Sequence, residues 1–389
     1  MQEVIKKIHL ISLKSGVLFT FFLFLFSGLT AQNKVDSITD EIKAKVFNRL
    51  KNFSFGFYID TYYNWVLNSK NDTSTIVPFS SNCPVQNQIR MNHAAIEVYY
   101  NAEKVRGKLI LQYGDAPNLL AAPNAQFIKN LRQANFGFRF GKKLWIDFGY
   151  ILNPVGYESS WAVLNQISTV TIDGYFEPGS ILGCKLSYQF SDKFSGGMMV
   201  GNPYSVAYGK NTHMAGMIFF TYKPLNNLWI TFNNFFGNQA LIDADIDNNI
   251  LYNNLIVEYH PMKQIGIVGQ LDFAAQTNSQ MAPDTNKVAT MFSGFIQIQY
   301  RLHDHLSFTG RYEFFNDPDG FLSGVYYYKG KQRGLLINGC TFGFEYRPIK
   351  IGYIRVEYRY LDAARGNYIF HGNTSDNLQA IVTTIGVRF

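Results

Sequence analysis

Hydrophobic and polar residues alternate one for one along most of this chain. The last twelve residues, Leu378 to Phe389, put Ile381, Ile385, Val387 and Phe389 on one side and Thr384, Gly386 and Arg388 on the other. A two-residue period marks a strand whose faces meet different surroundings. The pattern recurs upstream. Ala134, Phe136, Phe138 and Phe140 alternate with Asn135, Gly137 and Arg139. Phe292, Ile296, Ile298 and Tyr300 alternate with Ser293, Gln297, Gln299 and Arg301, and Ile354, Val356, Tyr358 and Tyr360 with Arg355, Glu357 and Arg359. An Arg or Lys facing lipid at mid-bilayer costs about 2–4 kcal/mol, so the charged faces are expected to look into an aqueous interior.

Turn signals divide these strands unevenly. Short turns are predicted at 101–103, 141–143, 191–192, 224–226, 261–262, 303–304 and 348–349. Long polar connections are predicted near 67–88, 115–132, 152–179, 202–212, 237–249, 275–289, 316–334 and 362–378. Seven turns alternating with eight loops predict about sixteen strands with both ends of the barrel on the turn side. The expected fold is all-β: a transmembrane, antiparallel, up-and-down β-barrel with short periplasmic turns and long extracellular loops. A last strand that pairs with the first removes the free edge, which a sheet in lipid cannot leave unpaired. A large soluble sandwich would also alternate, but its charged faces would meet bulk water, and it would not explain the uneven turns.

The N-terminus reads differently. Lys6, Lys7 and Lys14 precede an apolar run from Gly16 to Phe26, and small residues follow up to Ala31. This is the layout of a secretory signal peptide, expected to span 1–31. Residues 32–52 are expected to form a periplasmic segment with one short helix over 35–50, and 53–389 the barrel. Overall charge is mild. It falls from +7 to +5 once three Lys and one Glu leave with the leader, and no basic run suggests a nucleic-acid partner. The three cysteines, Cys83, Cys184 and Cys340, are odd in number and far apart, which fits neither a disulfide framework nor a metal site.

Two stretches carry a further signal. Gly149-Tyr-Ile-Leu-Asn-Pro154-Val-Gly156-Tyr-Glu158 closes a strand and opens a long loop. Arg311-Tyr-Glu-Phe-Phe-Asn-Asp317-Pro318-Asp319-Gly320 ends another strand and opens the seventh loop. Physically, Pro154 with Gly156, and Asp317 through Gly320, are turn chemistry. Both stretches resemble the recurring motifs of BBP2-type outer-membrane β-barrel porins, and the resemblance extends from about Phe53 to Phe389. It implies a porin-like channel for small hydrophilic solutes in the outer membrane of a Gram-negative bacterium; weak selectivity is expected from the strand faces, where eight inward bases (Lys108, Arg139, Lys185, Arg301, Arg311, Arg347, Arg355 and Arg359) balance eight inward acids. The Phe- and Gly-rich start of the barrel suits a Bacteroidetes-type membrane. The terminal Phe389 resembles the signal read by the barrel-assembly machinery. Expected partners are therefore outer-membrane lipid, that machinery and the solute, with a homotrimer as one oligomeric state.

Within that picture three sets of residues carry chemistry. In porin-like barrels a loop such as 152–179 narrows the channel, which would place Tyr157, Glu158, Trp161, Asn165, Asp173 and Glu177 at a constriction; a loop folded outward over the mouth is the alternative. Arg311, Glu313, Glu345, Arg347, Arg355, Glu357 and Arg359 face inward on adjacent strands. They form either a lattice of paired charges or a pore-lining patch that attracts anions through its guanidinium forks. Asp243, Asp245 and Asp247 alternate in the fifth loop as hard-cation ligands such as those of calcium do. Asn248 in place of Gly, and no Glu at the right spacing, favour a solvated acidic loop, and no other cofactor is expected. A barrel hydrolase would need a nucleophile, a base and an orienting acid together; inward His93 has no recognisable Ser partner. A surface adhesin or scaffold barrel without an open pore is the remaining alternative.

Overall fold

In this computed structural model the described residues are 50–67, 75–119, 128–202, 213–240, 246–281, 285–328, 331–363 and 368–389. The predicted leader, and all but the last residue of the predicted 35–50 helix, lie outside them.

The strands are β1 (Phe53–Val66), β2 (Ile89–Asn101), β3 (Val105–Tyr113), β4 (Leu131–Phe140), β5 (Leu144–Ile151), β6 (Ile181–Gln189), β7 (Phe194–Gly201), β8 (Ala215–Leu225) and β9 (Leu228–Asn238). They continue as β10 (Asn249–Met262), β11 (Ile265–Gln276), β12 (Ala289–His303), β13 (Leu306–Asp317), β14 (Tyr326–Tyr328), β15 (Lys331–Arg333), β16 (Leu335–Ile349), β17 (Gly352–Ala363) and β18 (Asn377–Arg388). Two short helices, α1 (Asp115–Leu119) and α2 (Ile172–Phe176), lie in the second and third loops. All strands except β14 and β15 form one closed barrel of 16 antiparallel strands, and those two make a small hairpin in the seventh loop.

Closure is made by β1 and β18, in register from Tyr58 opposite Arg388 to Val66 opposite Ala380. The Phe57 and Phe389 backbones exchange hydrogen bonds of 2.7 and 3.0 Å, and their rings stack 5.5 Å apart. The alternation holds around the wall. Phe136, Phe138, Phe292, Ile296, Phe308, Tyr312, Phe342, Val356 and Ile385 are exposed on the outside, while Asp147, Gln297, Arg311, Glu313, Glu357 and Thr384 are buried inside.

Three predicted turns shift by about two residues. Pro224, Pro261 and Pro348 lie inside β8, β10 and β16, and each coincides with a register irregularity, at Tyr222/Leu225, Tyr259/Met262 and Tyr346/Ile349. A proline cannot donate to the ladder, so it settles at a bulge and the strand continues past it. The second connection, predicted to run to 132, ends one or two residues earlier, because Leu131 begins β4.

Candidate functional site

The third loop, between Ile151 and Ile181, runs inside the barrel. An irregular backbone there needs partners for its N–H and C=O groups, and the wall supplies them. Arg355 donates to the carbonyls of Ala162 and Asn165, each at 2.6 Å. Arg311 donates to the carbonyl of Thr169 at 2.8 Å, and Arg359 to that of Val170 at 2.7 Å. Glu313 accepts from the Ile172 N–H at 2.7 Å. Glu357 accepts from the Ser168 N–H, and from Thr169 through its N–H at 3.0 Å and its hydroxyl at 2.8 Å. Arginines therefore meet loop carbonyls and glutamates meet loop amides.

The same charges pair with one another. Arg311 bridges Glu158 of the loop and Glu313 of its own strand; Arg359 meets Glu313 at 3.0 Å; Arg355 and Arg347 share Glu345 at 2.6 and 2.7 Å. Of the predicted arginine patch, only Arg347 keeps substantial exposure, with a side chain 30% exposed against 0% for Arg311 and 1% for Arg355. The patch is a paired lattice that holds the loop. It does not face open water, because the third loop covers it.

The predicted constriction residues are drawn into the same packing. Glu158 accepts from the Thr171 N–H and hydroxyl at 2.8 and 2.7 Å. Burial lifts its pKa although Arg311 opposes the shift. Trp161 is 2% exposed, lies 5.2 Å from the Tyr58 ring and carries the Arg132 guanidinium 4.5 Å above it. Tyr157 faces Phe295 at 6.3 Å. Asn165 closes a loop-internal pair with Ser159, at 2.8 and 2.7 Å. Asp173, Glu177 and Asp272 converge, with carboxylate oxygens within 4.8 Å of one another. They form the one such acidic group among the described residues, but Gln270 Nε2 donates to all three at 2.6–2.7 Å and stands where a cation would sit. Of the predicted calcium loop, Asp247 accepts from Asn238 at 2.6 Å, while Asp243 and Asp245 lie outside the described residues.

The two motifs are structural joints. Gly149 has φ +123° and a side chain there would strike the Ala134 carbonyl. Asn153 ties the loop's neck: its amide donates to the carbonyls of Pro178 and Gly179, and its oxygen accepts from the Val155 N–H at 2.9 Å. Asn233 donates to the Pro154 carbonyl at 3.0 Å. Gly156 sits at φ +82° with the Glu177 carboxylate where a Cβ would be. Asp317 accepts from the N–H groups of Phe321, Leu322 and Ser323, at 3.2, 3.0 and 2.8 Å, and so folds the start of the seventh loop behind Pro318 and Gly320. Asp319 accepts from the Met281 N–H at 3.3 Å.

The opposite wall, β3 to β6, is different. Arg106, Lys108, Arg139 and Lys185 face inward around one inward carboxylate, Asp147, which Arg106 grips with both arms. Arg106 stacks on Trp145 at 4.2 Å and Lys185 on Phe219 at 4.9 Å. Lys108 is exposed, and neither it nor Lys185 has a carboxylate partner among the described residues. Arg106 was not among the predicted inward bases, although it lies two residues from Lys108; Arg388, on the polar face of the last strand, holds Glu97 at 2.8 Å. Inward His93 has Nδ1 3.9 Å from Asp60 and no bond at that atom, and no hydroxyl or thiol nucleophile is bonded to it among the described residues.

The family described as "Putative beta-barrel porin-2, OmpL-like" matches residues 52–389. The chain belongs to this family. It is a porin-like channel of the Gram-negative outer membrane. No curated protein matches the chain. Among solved structures, the porin is similar to OprB of Pseudomonas putida, with TM-score 0.58 and 11% identity over 89% of this chain and 97% of that one. It is similar to OmpF of Salmonella typhi in complex with daunomycin, with TM-score 0.56 and 14% identity over 87% and 97%. It is also similar to an anion-selective porin from Comamonas acidovorans, with TM-score 0.54 and 10% identity over 87% and 99%. At these identities the likeness is one of fold.

Proposed function

We propose that this porin is a non-enzymatic diffusion channel for small hydrophilic solutes with a weak preference for anions, and that the solute path follows the β3–β6 wall. The observation that carries this reading is the contrast in pairing. The third loop occupies the lumen mainly against β9–β18 and spends the arginines there on its own backbone; on β3 and β4 it meets the loop-side ends of the strands, through Gln112 and Arg132. Lys108 and Lys185 lie nearer the turns than those contacts, without a carboxylate partner among the described residues, while Arg139 beside them is held by Glu103 at 3.2 Å. Cations lining a pore without matching carboxylates raise the local anion concentration.

The test is the reversal potential of the reconstituted barrel in a salt gradient. The wild type is expected to favour the anion, and Lys108→Glu with Lys185→Glu to shift the reversal potential toward cation preference. An unchanged reversal potential in the double variant would place the path elsewhere. The equivalent change at Arg355 would not be a fair comparison, since it strips the loop of two anchors.

A further inference from the structure

The inward face of the barrel changes character along its length. Toward the turns it is charged. Toward the loops it is apolar: Val66, Ile151, Ile181, Met199, Phe235 and Phe315 are examples from a single buried cluster drawn from every wall strand except β2, β3 and β4. A water-filled vestibule would leave these inward side chains wet, yet they are 0–4% exposed. Loops fill the space. From the first loop Val77, Cys83 and Val85 enter the cluster, with Phe79 packed on it; from the third, Val155, Ile172 and Phe176; from the seventh, Phe321 and Leu322; from the eighth, Ile369 and Phe370.

Rings bind these loops together. Phe79 meets Phe176 at 5.7 Å and Tyr175 at 5.8 Å, and Phe176 stacks on Phe315 of the wall at 4.9 Å. Asn82 donates to the Ser168 carbonyl at 3.1 Å, so the first loop rests on the third. The first loop is also strained. Phe79, Cys83 and Asn87 have φ of +56°, +55° and +58°. Non-glycine residues keep such angles only where surrounding contacts over-determine them.

We infer that this apolar lid at the outer mouth, built from the first, third, seventh and eighth loops, and not the charged lattice that anchors the third loop, is the barrier that limits flow through the porin, and that the lid lifts to admit a solute. The inference rests on the channel reading above. Apolar side chains packed without water are a closed gate for a hydrated ion. A lid held by side-chain packing against backbone strain has a lifted state to which it can relax. The break in the apolar ring at β2–β4 sets the side of entry. There Asp115 accepts from Arg90 at 2.7 and 2.8 Å and from Tyr62 at 2.7 Å, a polar edge directly above the basic wall. A solute admitted at that edge passes Ile110 of β3, buried in one cluster with Trp161 of the third loop, before it meets Lys108 and Lys185.

The chain carries its own reporter. Cys83 lies in the lid with no exposure, whereas Cys184 and Cys340 sit on the outer wall and can be removed as Cys184→Ser and Cys340→Ser. In that background, single-channel conductance and the rate of Cys83 modification by a water-soluble, membrane-impermeant thiol reagent are measured together. The parent is expected to open briefly and to protect Cys83. Phe79→Ser with Phe176→Ser, which keeps the third loop's charge anchors, is expected to lengthen openings and speed modification, each about tenfold or more. Steady, fully open conductance of the parent would overturn the lid and leave the channel reading standing. A variant in which Cys83 reacts freely while the barrel stays silent would overturn both.

Discussion

The walls β13–β17 and β3–β6 have the same strand alternation and the same residue types, yet one is dry and the other wet. On β13, β16 and β17 the guanidinium groups of Arg311, Arg355 and Arg359 are buried and bonded to glutamates and to carbonyls of the third loop. On β3 and β6 the ammonium groups of Lys108 and Lys185 meet no carboxylate among the described residues. The difference is made by one loop, not by the strands. Buried ions repay their desolvation only with full pairing, so charges under the loop are committed to structure. Charges the loop leaves free are available to solutes. Counting inward charges strand by strand therefore misjudges a pore; their partners decide which of them a solute meets.

The largest test of this contrast sets Arg311→Ala against Lys108→Ala. Removing Arg311 leaves Glu158 and Glu313 buried with a missing partner, which costs about 3–5 kcal/mol. The expected result is a lower urea midpoint and rapid proteolysis within 152–180. Lys108→Ala is expected to stay within about 0.5 kcal/mol of the parent. Equal losses in the two variants would show that the walls do not differ in kind. Next in size is Gly156→Ala. At φ +82°, with the Glu177 carboxylate in the space of the new methyl, it must both strain the backbone and displace Glu177, to which Gln270 of β11 donates at 2.6 Å. The expected cost is about 1–3 kcal/mol. Gly141→Ala, at φ +61° in a turn with nothing within 4 Å, carries only the backbone part and is the control. A Gly156 variant no worse than its control would mean that the seat of Glu177 against Gly156 and Gln270 does not hold the loop.

Much of this was legible beforehand, for physical reasons that also mark its limit. Lipid outside and polar groups inside force the two-residue alternation of Phe136/Gly137 or Val356/Glu357, so strands and closure can be read from residue type. Asp317 through Gly320 are turn chemistry wherever they occur. The fate of Arg311, Arg355 and Arg359 was not legible. It depends on Thr169, Ala162, Asn165 and Val170, more than a hundred residues away in sequence, offering carbonyls that carry no residue-type signal. The apolar lid was hidden for a related reason. Ile151, Phe235 and Phe315 fall on the inward face, but whether water or loop side chains fill the space above them is set by loops with no periodicity.

The smallest effect is a dependence on pH, and it should touch the covered wall alone. Burial raises the Glu177 carboxyl well above its ordinary range, and Asp173 and Glu158 add repulsion, while Gln270 opposes them with a hydrogen bond. A carboxyl raised in the folded state contributes stability that is fully present below its ordinary value, near 4.3, and is lost as pH rises through the folded value. The loss is about 1.4 kcal/mol for each pH unit between the two values. The third loop should therefore be held most firmly in mild acid and loosen toward alkaline pH. Amide exchange at Val155 and Tyr157, corrected for the intrinsic pH dependence, should show it, because those N–H groups are bonded at the loop's neck and to Gln270. Glu177→Gln removes the titrating proton but keeps the shape, so it should flatten the profile and hold the loop at every pH. If the profile persists in that variant, the group that loosens the loop is not Glu177. Reversal potentials recorded over the same range complete the comparison. A preference set by Lys108 and Lys185 should stay constant while the loop loosens, and one that follows the loop would mean that the two walls act as one.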